Sequence, residues 1–583
     1  MMYIAFKFKY IHDNGLLVRL ASRITDLSSL EINLARDGDM FFIESHGEQA
    51  ELEELAGLIS SIIPQSLFLL ESSVSEIEGF TQKNDDEKKL SSLNIPYCIE
   101  CQNTITQTLK IPSICSVCGD VEEELKEDFT VLAEELIEKK ELDLKTLNGV
   151  RRFSLLETKE EKNSSLLICD PSDISKDFLL TQGELNALMM IEKPSVRIKP
   201  KVLMHHEHEL LKPMYDVFFA DDKVTLALST ALAKKGVRAV YCSDRPSLKV
   251  ATALNENLII EAGGDMLPWS HSFTNKVPLS CNFNGYHSYV DSDGLTLDNS
   301  ANKKEKKSVE FVDLHNNSKS ENNIPFEPAH GALRSVVLEH DLGAQSLAMI
   351  YLSKKNTSQI CSYSPKIGYL TMVNFTDNYL ESPKAMLDAI ESMDDGGKKL
   401  IANYKKQFPE LFETLLNTKM EVDSKSSTLE KLYGIAAHCI GLTTDTNYKF
   451  ASEYLEATAL EFQGKSGPRI DYKVLKQENG FELDTRLVIR SCISFRLAGV
   501  DEYLVSFGFM DSLADFIADQ AEVCDANVGL DGAVIGGDLF ENHQLIMRAY
   551  NALSPNFKVY RNQRLSVDDA NVAVGALTLG NEL

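Results

Sequence analysis

The chain has eleven cysteines, and four of them fall in two pairs, Cys98-Ile-Glu-Cys101 and Cys115-Ser-Val-Cys118-Gly119. A Cys-x-x-Cys turn aims two thiolates at one point, and two such turns make the tetrahedral all-sulfur set that suits zinc. The 13 residues between the pairs are enough for a ribbon-like knuckle, and Gly119 lets backbone amides approach the sulfurs. Cys98, Cys101, Cys115 and Cys118 are therefore expected to hold one zinc ion. Four protein ligands leave no coordination position for a substrate, so the expected role is structural.

A second pattern lies near the C-terminus. Val534-Ile-Gly536-Gly537-Asp538-Leu539-Phe540-Glu541-Asn542, followed by His543 to Leu553, reads as a buried strand, a glycine turn and a helix. Such a turn presents backbone N–H groups to whatever binds beside it, which suits a phosphate. A strand, Gly-Gly, helix connection is more often only a tight turn, but here a second strand, Lys558-Val-Tyr560, follows. Beyond it comes the carboxylate pair Asp568-Asp569 ahead of a small-residue helix containing Gly575. Gly536, Gly537 and Asn542 line this turn, and the family resemblance given below implies that they contact a nucleotide, with Asp569 beside a cation. Asp538 works against this, because a carboxylate next to a polyphosphate repels it unless a cation intervenes.

Other clusters carry less. His205-His206-Glu207-His208-Glu209 has no separated further ligand, and consecutive helical residues do not face one another, so a solvated polar run is expected. Lys303 to Lys307 reads as solvated linker. Neither Gly-x-x-x-x-Gly-Lys-Ser/Thr nor Gly-x-Gly-x-x-Gly occurs.

The elements that must position these residues follow from apolar periodicity. Met2 to Tyr10 is strand-like, Leu16 to Ile24 has helical spacing, and Leu30 to Leu34 and Met40 to Glu44 are strands joined through Arg36-Asp37-Gly38-Asp39. A helix from Gln49 to Ile63, stopped by Pro64, leads into the strand Ser66 to Leu70. The order βαββαβ is that of a ferredoxin-like sandwich over residues 1–82. The zinc module spans 90–125, with acidic helical residues from Glu122 to Leu144 after the cysteines. A mixed α/β middle domain covers 145–295. Residues 296–323, rich in Asn, Ser and Lys, are expected to be a linker or flexible insertion. Residues 324–583 hold long helices and several strands.

At 583 residues the chain exceeds a single core, since domains run to roughly 100–200 residues. Acidic residues outnumber basic ones 87 to 59, and the net charge of -28 repels a phosphate backbone and an anionic membrane surface, which argues against nucleic acid as a partner. No apolar run approaches the ~20 residues needed to span a bilayer, and the N-terminus lacks the order of a signal peptide, so no membrane insertion and a cytoplasmic location are expected.

The C-terminal residues are similar to those of the HypF family, carbamoyltransferases that help build the active-site ligands of nickel-iron hydrogenases. That family carries Ser-Gly-Gly-Val-Phe-Gln-Asn, a Pro-x-Asn-Asp-Gly-Gly stretch and a Leu-Gly-Gln, which Gly537, Phe540 and Asn542, then Asp569 and Gly575, resemble in turn. Ser427-Thr428-Leu429-Glu430-Lys431-Leu432-Tyr433 with Gly441-Leu442 resembles its Ser-Ser-Met-Gly-Arg-Leu-Phe and Leu-Gly-Leu, and Phe509 to Ala514 its Phe-His-x-x-Leu-Ala helix. The order of parts agrees as well. The resemblance covers about the first 120 residues by architecture and the last 160 by motif. It implies a multidomain α/β and α+β protein: an acylphosphatase-type ferredoxin-like domain, a zinc knuckle, a mixed α/β middle and an actin-like ATPase domain.

The resemblance further implies zinc, ATP with magnesium, and carbamoyl phosphate, with the carbamoyl group passing through an adenylate to the C-terminal cysteine of a HypE-like partner. Several family residues are replaced. The arginine of the acylphosphatase loop falls on Asn14, if Arg19-Leu20-Ala21 is set on the family's Arg-Leu-Ala. Glu430 and Met510 stand for the family's Gly and His, and Tyr448-Lys-Phe-Ala for Tyr-Glu-Gly-Gln. His330 and His340 lie near the register of its His-His-x-Ala-His metal motif without its spacing. Two functions remain open on these grounds: a HypF-type carbamoyltransferase, or a pseudoenzyme of that family that docks a HypE-like maturation protein or a hydrogenase subunit.

Overall fold

The computed structural model describes the chain except residues 1, 11–15, 39, 82–94, 116, 118–126, 147–148, 157–164, 203, 205–209, 247, 255–256, 261–279, 284–285, 292–293, 300–305, 309–310, 314–323, 377, 422–425, 478–479, 564, 569–570, 573–574 and 576–583. Of 173 and 257–326 it gives the backbone alone where it describes them. Two compact units, Met1–Val250 and Ala251–Leu583, make up the fold. They divide well before 296–323, where composition alone places a boundary. Strands Gly294–Asn299, Lys306–Ser308 and Phe311–Asp313 occupy part of that segment, so its polarity does not mark a structureless linker throughout.

The first unit opens with β1 (Met2–Tyr10), α1 (Leu16–Leu27), β2 (Ile32–Asp37), β3 (Met40–Gly47), α2 (Gln49–Ile62) and β4 (Leu69–Glu76). They form the ferredoxin-like sandwich, an antiparallel sheet in the order β2-β3-β1-β4. Alternation in β1 turns Ile4, Phe6 and Phe8 into the core, where Leu20 and Ile24 of α1 and Leu52, Leu55 and Ile59 of α2 are also buried. Glu48 and Glu51 close a capping box at the start of α2. The last strand begins at Leu69, later than the expected Ser66. Residue 66 serves instead as a polar tie: its hydroxyl bonds the Glu192 carboxylate, which also accepts the Leu67 N–H at 3.0 Å.

Behind the sandwich, α3 (Ile99–Thr108) and α4 (Phe129–Lys139) lead into β5 (Glu141–Thr146), β6 (Gly149–Ser154) and β7 (Ser165–Ile168). The acidic stretch to Leu144 is thus not helical throughout. Lys140 takes the left-handed conformation (φ 69°), ends α4 and releases Glu141 into a strand paired with β6. The larger sheet of this unit continues through Ala239–Cys242, Tyr215–Phe218 and Ser195–Pro200. Helix Lys223–Lys234 packs with α3 and α4 in the core of this region. Arg151 on β6 meets Asp221 in a two-pronged ion pair at 2.6 and 2.9 Å, with both side chains almost fully buried.

The second unit is built on a seven-stranded sheet. Leu347–Tyr351, Gln359–Ser364 and Gly368–Asn374 form an antiparallel meander, while Leu347–Tyr351 runs parallel to Gly532–Gly536, which in turn runs parallel to Val559–Tyr560. Tyr351 and Gly536 are register partners, so the chain leaves both strands at one end of the sheet. In open α/β sheets ligands bind at the carboxyl ends of parallel strands, and this is such a place. Helices Thr428–Ile440, Tyr448–Ala459, Thr485–Leu497, Glu502–Val528 and His543–Leu553 bury their apolar faces in a large core with the sheet.

Candidate functional site

At the cysteines, Cys98 is the N-cap of α3 and Cys101 lies in its first turn, so both sulfurs sit at the helix end where the backbone dipole favours a thiolate. Tyr97 fixes the approach by donating its hydroxyl hydrogen bond to the Ala220 carbonyl at 2.8 Å. Cys115 returns to the same point. Its sulfur is 3.5 Å from that of Cys98, and the ligand atoms of Cys98, Cys101 and Cys115 all lie within 4.8 Å of one another, every residue buried. Sulfurs about a tetrahedral zinc at roughly 2.3 Å stand about 3.8 Å apart, so the three thiols fit such an ion. Among the described residues they are the one group of three that could hold a metal. Cys118, the expected fourth ligand, lies outside the described residues.

The glycine turn is the second site. Gly537 has φ 100° and ψ 146°, a conformation closed to most side chains, and a Cβ there would stand 2.1 Å from the Leu352 carbonyl oxygen. That closeness locks two chain segments together. Leu352 N–H donates to the Gly536 carbonyl at 2.9 Å, Leu539 N–H to the Leu352 carbonyl at 3.0 Å, and Gly537 N–H to the Val567 carbonyl at 2.6 Å. The turn, the hairpin loop after Tyr351 and the segment before Asp568 therefore meet at one point.

Carboxylates occupy it. Asp568 is fully buried and accepts hydrogen bonds from the Tyr351 hydroxyl (2.6 Å), the Ser353 hydroxyl (2.6 Å) and the Asp538 backbone N–H (3.2 Å). Burial and the Asp568 charge push the Tyr351 hydroxyl well above its usual pKa, so it stays a donor. The Asp538 carboxylate accepts the Lys354 N–H and faces the Lys355 ammonium at 3.8 Å. The Lys354 ammonium instead pairs with Glu456 at 2.7 Å. Beside them Ser427 caps the helix Thr428–Ile440 and donates its hydroxyl to the Ser353 carbonyl at 2.5 Å. Glu430 in that helix is also buried, and burial pushes its carboxyl upward against the Ser426 hydroxyl and the Lys354 and Lys449 charges.

Sequence reasoning and structure part at several residues. Gly536 ends the strand Gly532–Gly536, and Gly537 opens the turn. A short 3-10 turn, Asp538–Glu541, follows them, and Asn542 lies beyond it, where it accepts the Leu545 N–H at 2.9 Å. Asn542 is thus the N-cap of helix His543–Leu553, a role that Asn at a helix start commonly plays. The candidate cation ligand Asp569 is outside the described residues, as are Asn14 and 205–209; Asp568, the other member of the carboxylate pair, is the residue the fold brings to the turn. His330 and His340 both lie on helix Pro328–His340 but are engaged separately. His330 stands 3.2 Å from Glu327 and stacks on Tyr369, while His340 meets the Arg561 carbonyl at 2.8 Å. Met510 is buried in the core, and Tyr448 donates to the Leu380 carbonyl at 2.5 Å.

Comparison with known proteins places this geometry. Residues 376–576 match the family described as carbamoyltransferase, Kae1-like domain, second subdomain. A solved structure of full-length HypF in a phosphate- and nucleotide-bound form superposes with a TM-score of 0.59, over 100% of this chain and 98% of that one, at 15% identity. HypF from T. kodakarensis superposes with a TM-score of 0.62, over 99% of this chain and 98% of that one, at 11% identity. The chain has the HypF fold. Among curated proteins, HydE of Wolinella succinogenes is 25% identical over 437 residues, covering 73% of this chain and 70% of that protein. The sites above thus lie within a HypF architecture, with Glu430, Asp538 and Asp568 all inside the matched Kae1-like segment. Among the described residues no helix is long and apolar enough to cross a membrane.

Proposed function

We propose that this chain serves nickel-iron hydrogenase maturation as a HypF-type scaffold that docks a HypE-like protein or a hydrogenase subunit, with ATP-dependent carbamoyl transfer lost. The observation that carries this reading is the state of the turn. Asp538 stands against Gly537, and its carboxylate is held by the Lys354 N–H and the Lys355 ammonium, so groups that would meet a phosphate are engaged by the protein. Zinc at Cys98, Cys101 and Cys115, completed by Cys118, supplies folding energy in this reading and takes no part in chemistry.

Carbamoyl transfer from carbamoyl phosphate is the second reading. The positive φ of Gly537 favours it, because a glycine in that conformation lets a backbone turn approach a phosphate closely. One experiment separates the two. Purified chain is mixed with ATP, magnesium and carbamoyl phosphate, pyrophosphate release is followed, and sedimentation tests complex formation with a HypE-like protein. A complex with no carbamoyl-phosphate-dependent ATP cleavage is expected. Cleavage above background overturns the scaffold reading, and so does the lack of any complex when the sedimentation is run with a HypE-like protein and with a hydrogenase subunit.

A further inference from the structure

We infer that Asp568 is a built-in anion that occupies the phosphate cradle of the second unit and holds it closed without nucleotide. The inference rests on reading the Gly536-Gly537 turn as a phosphate turn, and it deepens that reading by naming what fills it. Two segments far from it in the chain converge on the Asp568 carboxylate: the end of strand Leu347–Tyr351 and the loop after it, through Tyr351 and Ser353, and the glycine turn, through the Asp538 N–H. Hydroxyls and a backbone N–H that converge from two loops are the donor set of an oxyanion or phosphate cradle. Here both oxygens of a side-chain carboxylate take them.

The surroundings support occupancy by a side chain. Asp568 has no solvent exposure, and a carboxylate so deep persists only where its oxygens are hydrogen-bonded. The Tyr351 hydroxyl is itself oriented, because it accepts from the Asn356 side-chain amide at 2.9 Å while donating to Asp568. Ser353 is held in the same way, accepting the N–H groups of Lys355 and Asn356 at 3.2 and 3.1 Å while its hydroxyl points to Asp568. Asp538, Glu430 and Glu456 are further buried carboxylates around the same loops. A polyphosphate entering this cradle would compete with Asp568 for its donors and meet like charge beside it.

Removing the carboxylate should free three converging donors beside the glycine turn, which a free phosphate-class anion can then engage. The full chain is tested as wild type, Asp568→Ala and Asp568→Asn by thermal unfolding, with sodium pyrophosphate against sodium chloride at equal ionic strength. Asp568→Ala should melt below wild type in chloride and recover by about 2 °C or more at a tenfold excess of pyrophosphate over its Kd. Wild type should not respond. If Asp568→Ala does not fold, Asp568→Asn, which keeps the volume and loses the charge, decides: pyrophosphate should bind it at least about tenfold tighter than wild type, because the repulsion is gone. A pyrophosphate response in wild type equal to that of the variant overturns the proposal. So does a folded Asp568→Ala that ignores pyrophosphate, or equal binding by Asp568→Asn and wild type where that variant decides. The docking reading can fail independently, on ATP cleavage or on missing complex formation by wild type.

Discussion

Replacing Gly537 with alanine isolates the physical basis of the turn. At φ 100° and ψ 146° a residue with a Cβ carries strain of about 1–3 kcal/mol. The added carbon would also sit 2.1 Å from the Leu352 oxygen and 2.4 Å from its carbonyl carbon, so the turn must retreat by roughly 1 Å to reach an ordinary contact. That retreat breaks the 3.0 Å bond from Leu539 N–H to the same carbonyl, whose buried groups then cost about 1–3 kcal/mol more. The expected loss is about 2–6 kcal/mol. Gly499→Ala is the control, because Gly499 also has positive φ (80°) with nothing within 4 Å of a Cβ, and it should lose only the strain of about 1–2 kcal/mol. Hydrogen exchange of the Leu352 and Leu539 amides in the full chain reads the difference. A loss of protection beyond about 100-fold in Gly537→Ala, and about 30-fold or less in the control, is expected. Equal changes in the two variants would refute the close-contact argument.

Acid should weaken the first unit through Asp216. Burial alone would raise its carboxyl, but Lys249 at 2.8 Å, with Arg197 and Arg245, holds it down to about 2. A depressed carboxyl contributes stability above its unfolded pKa of about 4 and loses it as pH falls through about 2. Wild type should therefore exceed Asp216→Asn at pH 7, and the gap should close between about pH 4 and 2, as followed by denaturant titration. A gap independent of pH would contradict the charge assignment. Cys101→Ser should release or loosen zinc and expose residues 95–121 to limited proteolysis; one equivalent of metal in wild type and unchanged cleavage in the variant would separate zinc binding from the folding role given to it.

The ferredoxin-like sandwich was legible because one face of each strand and helix is buried, so alternation in Met2–Tyr10 and helical spacing in Gln49–Ile62 report tertiary structure directly. The strand Glu141–Thr146 was not, because acidic residues run on from α4 and the break depends on one backbone conformation at Lys140. At the candidate site the cysteine spacing and the paired glycines were local signals. The use of Asp538 was not local: its partners Lys354 and Lys355 come from a loop more than 180 residues earlier, brought in by the parallel pairing of Tyr351 with Gly536. The carboxylate pair Asp568-Asp569 was visible, but the partners of Asp568 were hidden for the same reason, since Tyr351 and Ser353 lie more than 200 residues earlier. Asn542 carried a second readable signal, since Asn immediately before an amphipathic helix is commonly a cap.

On the proposed reading, the protein's own carboxylates occupy the place that a nucleotide phosphate would take at the glycine turn. The most direct test is a calorimetric titration of ATP into wild type and Asp538→Gly, each with and without magnesium. Weak or no binding by wild type is expected in either condition, with a gain of affinity in Asp538→Gly, where one negative charge leaves the turn and the Lys354 N–H is released. Tight magnesium-dependent binding by wild type that Asp538→Gly abolishes would contradict that reading, because Asp538 would then be holding the cation that bridges to ATP.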